Sequence, residues 1–202
     1  MANEQKERMA AIVLAAGQGT RMQSADTHKV CFPVAGVPAI VRAVRTFKSV
    51  GLRRFLVVVG QMAEQVISTL AAEHPDVAFA YQPQPRGTGH AAACAAEVLK
   101  AAGHDGDVVI TMGDKVIQPH VVADLLARHA ATGADVTLTA LPKTPECTGG
   151  RVVTDARGRV LGIVELPDIR RAAERRQKIR VGSRLMTAGQ VERNSKSWNA
   201  SL

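Results

Sequence analysis

Met9-Ala-Ala-Ile-Val-Leu14-Ala15-Ala16-Gly17-Gln-Gly19-Thr20-Arg21-Met22 decides the fold: a compact apolar run that stops at a glycine-rich turn. An unbroken apolar run of this length suits a strand buried on both faces. The two glycines let the backbone turn tightly and present N–H groups to an anion with no Cβ in the way. Arg21 adds a fixed charge able to bridge phosphate oxygens. No Gly-Lys-Ser/Thr follows, so this is not a Walker A loop. Met22 stands where a dinucleotide fingerprint needs its third glycine, and no acidic ribose ligand is clearly placed. Taken alone, the turn is better explained as a structural strand-to-helix connection.

Working outward, helical patterns alternate with short strands. Val37–Val50 carries Val37, Ile40, Val41, Val44 and Phe47 on one face and ends at Gly51, a helix with its stop signal. Phe55–Val59 reads as a buried parallel strand, Ala63–Ala72 as a helix and Val77–Tyr81 as a strand. Alanine-rich Thr88–Ala102, closed by Gly103, predicts a helix. Asp107–Thr111, His120–Ala131 and Val136–Leu141 continue the alternation as strand, helix and strand. Arg151–Thr154 and Arg159–Glu165 then read as a hairpin around Asp155–Gly158, and Asp168 as the cap of a helix through Lys178. Gly189–Leu202 is polar, with a lone Trp198, and predicts no regular element. The expected class is α/β: a Rossmann-like, mostly parallel sheet with helices on both faces, plus a C-terminal β-hairpin and helix.

Composition narrows the function classes. The chain has 202 residues, 46% hydrophobic and 22% charged, enough for a sizeable core and unlike a disordered chain. No apolar stretch approaches transmembrane length, and the polar, mixed-charge N-terminus lacks a secretory layout. Cys31, Cys94 and Cys147 are an odd count at wide spacing, which predicts reduced thiols and a cytoplasmic location. Residues 168–202 hold nine Lys/Arg against three acids, +6 of the +8 net charge, so the rest of the chain is close to neutral. That basic tail is the one hint of a nucleic-acid partner. An aromatic content of 3% leaves little from which to build base-stacking platforms.

In open sheets, ligands sit beyond the carboxyl ends of the strands, so polar residues there are the candidates. Lys29 follows Arg21 by eight residues, in His28-Lys29-Val30-Cys-Phe-Pro33-Val-Ala-Gly36-Val-Pro38. With this segment the sequence resembles the sugar-phosphate nucleotidyltransferases, most nearly the uridyltransferase domain that makes UDP-N-acetylglucosamine. The resemblance continues in Tyr81-Gln82-Pro-Gln-Pro-Arg-Gly87-Thr88-Gly89-His90-Ala91, in Met112-Gly113-Asp114, and in Gly149-Gly150-Arg151…Gly162-Ile-Val-Glu165. It covers residues 9–186 and implies a nucleotide-diphospho-sugar transferase fold. The domain would span 9–188 without the family's last elements, and 1–8 and 189–202 would be flexible termini.

The resemblance implies UTP and a sugar 1-phosphate, N-acetylglucosamine 1-phosphate above all, as partners, with Mg²⁺ as cofactor. Arg21 and Lys29 would be catalytic. Leu14, Ala15, Ala16, Gly17, Gly19, Thr20, Gln82, Gly87 and Thr88 would bind the nucleotide, and Asp114 the metal. Gln82 offers an amide donor and acceptor suited to a uracil edge, and Gly87 close backbone approach. Gly150 and Glu165 would contact the amino sugar. Three positions depart from the pattern: Lys115 follows the aspartate in place of a proline-containing continuation, Gly149 replaces a tyrosine, and Arg180 replaces the sugar-binding asparagine of Asn-x-Gly. Three alternatives stay open. They are another nucleotide or acceptor, a catalytically silent nucleotide-binding domain of a longer protein, and a basic module for RNA or acidic partners. Homo-oligomerisation or further domains are likewise left open.

Overall fold

The computed structural model describes residues 6–17, 19, 26–141 and 149–195. These divide into two compact units, 1–137 and 138–202.

The first unit is built on four parallel strands: β1 (Ala10–Leu14), β4 (Arg54–Val59), β5 (Ala78–Tyr81) and β6 (Val108–Met112), in the order β5-β4-β1-β6. A two-residue ribbon, β2 (Pro33–Val34) with β3 (Val37–Pro38), leads into helix α1 (Ala39–Ser49). The other helices are α2 (Ala63–Ala71), α3 (Thr88–Ala101) and α4 (Pro119–Thr132). Strand β1 lies between β4 and β6 and is buried along its whole length, which is why it reads as an unbroken apolar run. Alternate residues serve the two faces. Ala11, Val13, Phe55, Val57 and Val109 pack with Ile40, Val44, Val66, Leu70 and Val122 of α1, α2 and α4. Ile12, Leu14, Leu56, Val58 and Ala80 pack with Ala91 and Ala95 of α3. Helices therefore cover both faces, as the alternating pattern predicts. The observed elements match the expected ones to within a residue or two.

One expected strand is absent. Residues 136–141 form no ladder, and Val136 and Leu141 are exposed. Their period-two alternation fits a half-buried strand. A strand, however, needs both a hydrogen-bonding neighbour and an apolar surface beneath it. On β6, Val108 and Ile110 remain about half exposed.

The second unit contains the predicted antiparallel hairpin, β7 (Arg151–Thr154) with β8 (Val160–Val164). Asp155 closes its turn by accepting from the Arg157 and Arg159 backbone N–H groups and pairing with the Arg159 guanidinium. Helix α5 runs over Leu166–Glu174, not from Asp168 to Lys178. Pro167 explains the earlier start, because its fixed φ and missing N–H suit the first helical turn. The chain then turns at Arg176, at positive φ, into an unpredicted hairpin, β9 (Lys178–Val181) with β10 (Arg184–Thr187). Helix α6 (Ala188–Asn194) follows, inside the stretch read as a flexible terminus. Its start is a capping box between Thr187 and Gln190, and Val191 is fully buried with Val153, Val164, Ile169, Val181 and Met186.

Candidate functional site

The carboxyl ends of β1, β5 and β6 converge on a cavity of about 340 Å³ in the first unit. Leu14, Ala16, Gly17, Gly19, Lys29, Gln82, Gly87 and Thr88, all singled out by sequence, line it. Ala15 does not line it: its side chain is fully buried in the core with Ala11, Val13 and Ile40, and its N–H donates to the Val58 carbonyl at 2.8 Å, extending the ladder. Thr20 and Arg21 lie outside the described residues, as do Cys147 and Trp198.

The turn after β1 is shaped around Lys29. A Cβ on Gly17 would touch the Lys29 Cε and Nζ at 3.4 and 3.5 Å, and one on Gly19 would meet the Lys29 Cβ at 3.1 Å. Gly19 also has φ +62, a conformation other L-residues adopt at a cost of about 1–2 kcal/mol. The lysine stem thus lies along the glycine turn. Its ammonium donates to Asp114 Oδ2 at 2.9 Å, and the pair is partly shielded from solvent. Asp114 follows β6, where Gly113 donates to the Leu14 carbonyl at 2.9 Å and so ties the two strand ends together. The other carboxylate oxygen, Asp114 Oδ1, is buried and has no partner among the described residues. Lys115 is exposed, so it is Lys29 that engages this carboxylate.

Two residues that sequence reasoning did not single out hold Lys29 in place. His28 is buried, and its Nδ1 accepts from the Val30 N–H at 3.4 Å, capping the 3₁₀ turn Lys29–Cys31. Burial, and then the adjacent Lys29 ammonium, hold its imidazole below the ordinary value. Gln65, on α2, accepts from the His28 N–H through Oε1 and donates through Nε2 to the Asp26 carbonyl at 3.0 Å. No local signal marks Gln65, which acts on a segment more than thirty residues away. At the base of β5, Gln82 is nearly buried. Its Nε2 donates to the Gly87 carbonyl at 3.2 Å and lies 2.9 Å from His90 Nδ1. Gly87 sits at φ +94, before the first turn of α3, where only glycine is comfortable.

Gly150, Glu165 and Arg180 belong to the second unit. Gly150 packs against the end of β8: a Cβ there would lie 3.3 Å from the Val164 carbonyl and 3.5 Å from Glu165 Cδ. Glu165 is exposed just before α5, and Arg180 is exposed on β9 opposite Leu185. Gly150 and Glu165 are thus neighbours, and Arg180 lies on the adjoining hairpin.

A cavity at the strand ends, a glycine turn lined by a lysine stem and a carboxylate facing that lysine make an arrangement whose charge and backbone geometry could handle an anion. The model of the MobA-like NTP transferase domain matches residues 11–179. The chain belongs to this family. Curated relatives include the Bifunctional protein GlmU of Pelobacter propionicus, 44% identical over 164 residues, covering 80% of this chain and 35% of that protein. The protein of the same name from Geobacter metallireducens is 38% identical over 175 residues, covering 86% and 36%. The chain therefore spans about a third of the length of the relatives it matches. Among solved structures, HddC from Yersinia pseudotuberculosis superposes with a TM-score of 0.57 at 21% identity, over 77% of this chain and 68% of that one, which supports the fold. No helix among the described residues is long and apolar enough to cross a membrane, and Cys31 and Cys94 are free thiols.

Proposed function

We propose that this domain transfers a uridylyl group from UTP to a sugar 1-phosphate, N-acetylglucosamine 1-phosphate above all, releasing pyrophosphate. The observation that carries the reading is the Lys29–Asp114 pair set against the Gly17–Gly19 turn at the mouth of one cavity. An oxygen of the sugar phosphate attacks the α-phosphorus in line as the bond to the β-phosphate oxygen breaks. The attacking group is already anionic, so no protein nucleophile is needed, and catalysis consists of positioning and charge neutralisation. The Gly17 and Gly19 turn and Arg21 hold the β- and γ-phosphates, and Lys29 stabilises charge around the α-phosphoryl group. Gln82, Gly87 and Thr88 receive the base, while Gly150, Glu165 and Arg180 serve the sugar.

The residues fit a magnesium ion. Asp114 Oδ1 is a buried carboxylate oxygen without a partner among the described residues, and Mg²⁺ commonly takes one or two carboxylates with the remainder from phosphates and water. When bound, Mg²⁺ would supply charge neutralisation at the phosphates. A cytoplasmic location is part of this proposal, on the odd count and wide spacing of the cysteines in the sequence.

A pyrophosphate-release assay across the four nucleoside triphosphates and a panel of sugar 1-phosphates tests the reading. UTP with N-acetylglucosamine 1-phosphate is expected to give the highest rate. A higher rate with another pair reassigns the substrates. Binding of UTP with no pyrophosphate from any pair establishes a catalytically silent domain.

A further inference from the structure

The positive charge of this chain is gathered in one stretch, and the fold turns that stretch into a surface. Residues 170–184 carry seven Lys/Arg against a single acid, Glu174, and so hold +6 of the chain's +8. Helix α5 buries Leu166, Ile169 and Ala172, which turns Arg170 and Arg171 outward. On β9, Ile179 and Val181 pack with Val153, Ile169 and Met186, so the period of two sets Lys178 and Arg180 on the outer face. Opposite them on β10 stand Thr187 and Leu185, neither of which offers a counter-charge. Between helix and ribbon the chain is fixed by two hydrogen bonds, Arg176 N–H to the Ala173 carbonyl at 3.2 Å and Gln177 N–H to the Ala172 carbonyl at 2.9 Å. This Schellman closure needs one left-handed residue, ordinarily glycine, and here it is Arg176 at φ +53. The negative end of the helix dipole favours a cation or two in this turn. It does not explain a whole face of them. Arg170, Arg175, Arg176, Lys178 and Arg184 are exposed, and none has a side-chain hydrogen bond or ion pair among the described residues, whereas Arg171 pairs with Asp168 at 3.2 Å.

We propose that this face of the second unit binds the phosphate backbone of duplex nucleic acid without reading its sequence. The proposal is independent of the uridylyl-transfer reading. Unpaired like charges held on a folded surface repel one another, and a shared polyanion relieves that repulsion. Six of the seven cations are arginines, whose planar forks match phosphate oxygens two at a time. Residues 138–202 contain one aromatic side chain, Trp198. Protein interfaces, membrane surfaces and stacked single strands all draw on aromatic anchors, so each is a poorer fit than a duplex gripped by its charge.

Fluorescence anisotropy of the full chain with labelled DNA and RNA duplexes tests this between about 50 and 200 mM salt. The five unpaired cations are expected to give a slope of log affinity against log salt of about −4.5, a loss of about 500-fold over that range. Combining Arg175→Gln, Arg176→Gln and Lys178→Gln is expected to flatten the slope to about −2. Arg170→Gln with Arg184→Gln, from the helix and the other strand, is expected to flatten it by about 2 independently. Arg180 is left in place because it serves the sugar. As a control, Arg53→Gln, Lys100→Gln and Arg128→Gln together remove the same charge from exposed positions of the first unit and are expected to leave the slope unchanged. A slope unaltered in both variants of the face, or flattened as much by the control, overturns the proposal. So does a wild type that binds neither duplex at the lowest salt. Tighter binding to phosphatidylserine vesicles than to either duplex assigns the face to a membrane and overturns it as well. A preference between the DNA and the RNA supports the proposal and names the source.

Discussion

Lys29 is one ammonium answering to three neighbours: the glycine turn under its stem, the Asp114 carboxylate at its tip, and the capped 3₁₀ turn that carries its backbone. A surface lysine would be interchangeable with alanine; this one is not. Lys29→Ala is expected to leave the circular dichroism spectrum unchanged and to lower turnover roughly a hundredfold, the ~3 kcal/mol of one preorganised charge-stabilising donor. Arg21→Ala is expected to act similarly. Near-normal pyrophosphate release from either variant would remove that residue from the mechanism. At this scale the sequence was most legible where short segments carry their own chemistry. Gly17, Gly19, Lys29, Gln82 and Asp114 all gather near one cavity, because each follows a strand end and a parallel sheet brings those ends to one edge. Gln65 was not legible, because its role is a tertiary contact written in no local pattern.

Helix α2 has a task beyond covering the sheet. Through Gln65 it satisfies two backbone groups of the Asp26–His28 segment, and Thr69 donates to the Gln65 carbonyl at 2.7 Å behind it. Gln65→Leu keeps the volume and leaves both groups unsatisfied, so a stability loss of about 1–3 kcal/mol in urea unfolding is expected, with a lower kcat as Lys29 loses its mooring. An unaltered midpoint and kcat would show that the clamp is dispensable.

At the other end of α2, His74 is buried beside Lys48 of α1, which also pairs with Asp76 at 2.6 Å. Burial first, and the Lys48 charge second, lower the His74 pKa, as they do for His28 with Lys29. The folded state therefore resists protons that the unfolded chain accepts near pH 6.5. The stability contribution is complete above that pH and is lost as pH falls below it. Unfolding midpoints should accordingly drop between pH 7 and pH 5, and less steeply in His74→Gln; a flat profile would contradict this. Element prediction failed where pairing, not pattern, decides. Residues 136–141 alternate like a strand but find no ladder, whereas α6 follows from a Thr187–Gln190 capping box that its polar composition obscures.

As a whole, the molecule is an α/β unit bearing the cavity and a second unit bearing the hairpins, both carried on one chain of net charge +8. Most of the α/β architecture was legible because a doubly covered sheet imposes two strong periodicities, continuous on strands and 3.6-fold on helices. The later part was less so. Short two-stranded ribbons and seven- to nine-residue helices carry too few residues to establish a period, and their cores are completed by distant partners such as Val153 with Val191. What unites the account is the first unit's cavity as a holder of nucleoside triphosphate. Calorimetric titration of the purified chain with each of the four nucleoside triphosphates, magnesium present, measures that directly. Saturable one-to-one binding, strongest for UTP and sharply weakened in Lys29→Ala, is the expected result; no binding heat from any of the four would contradict it.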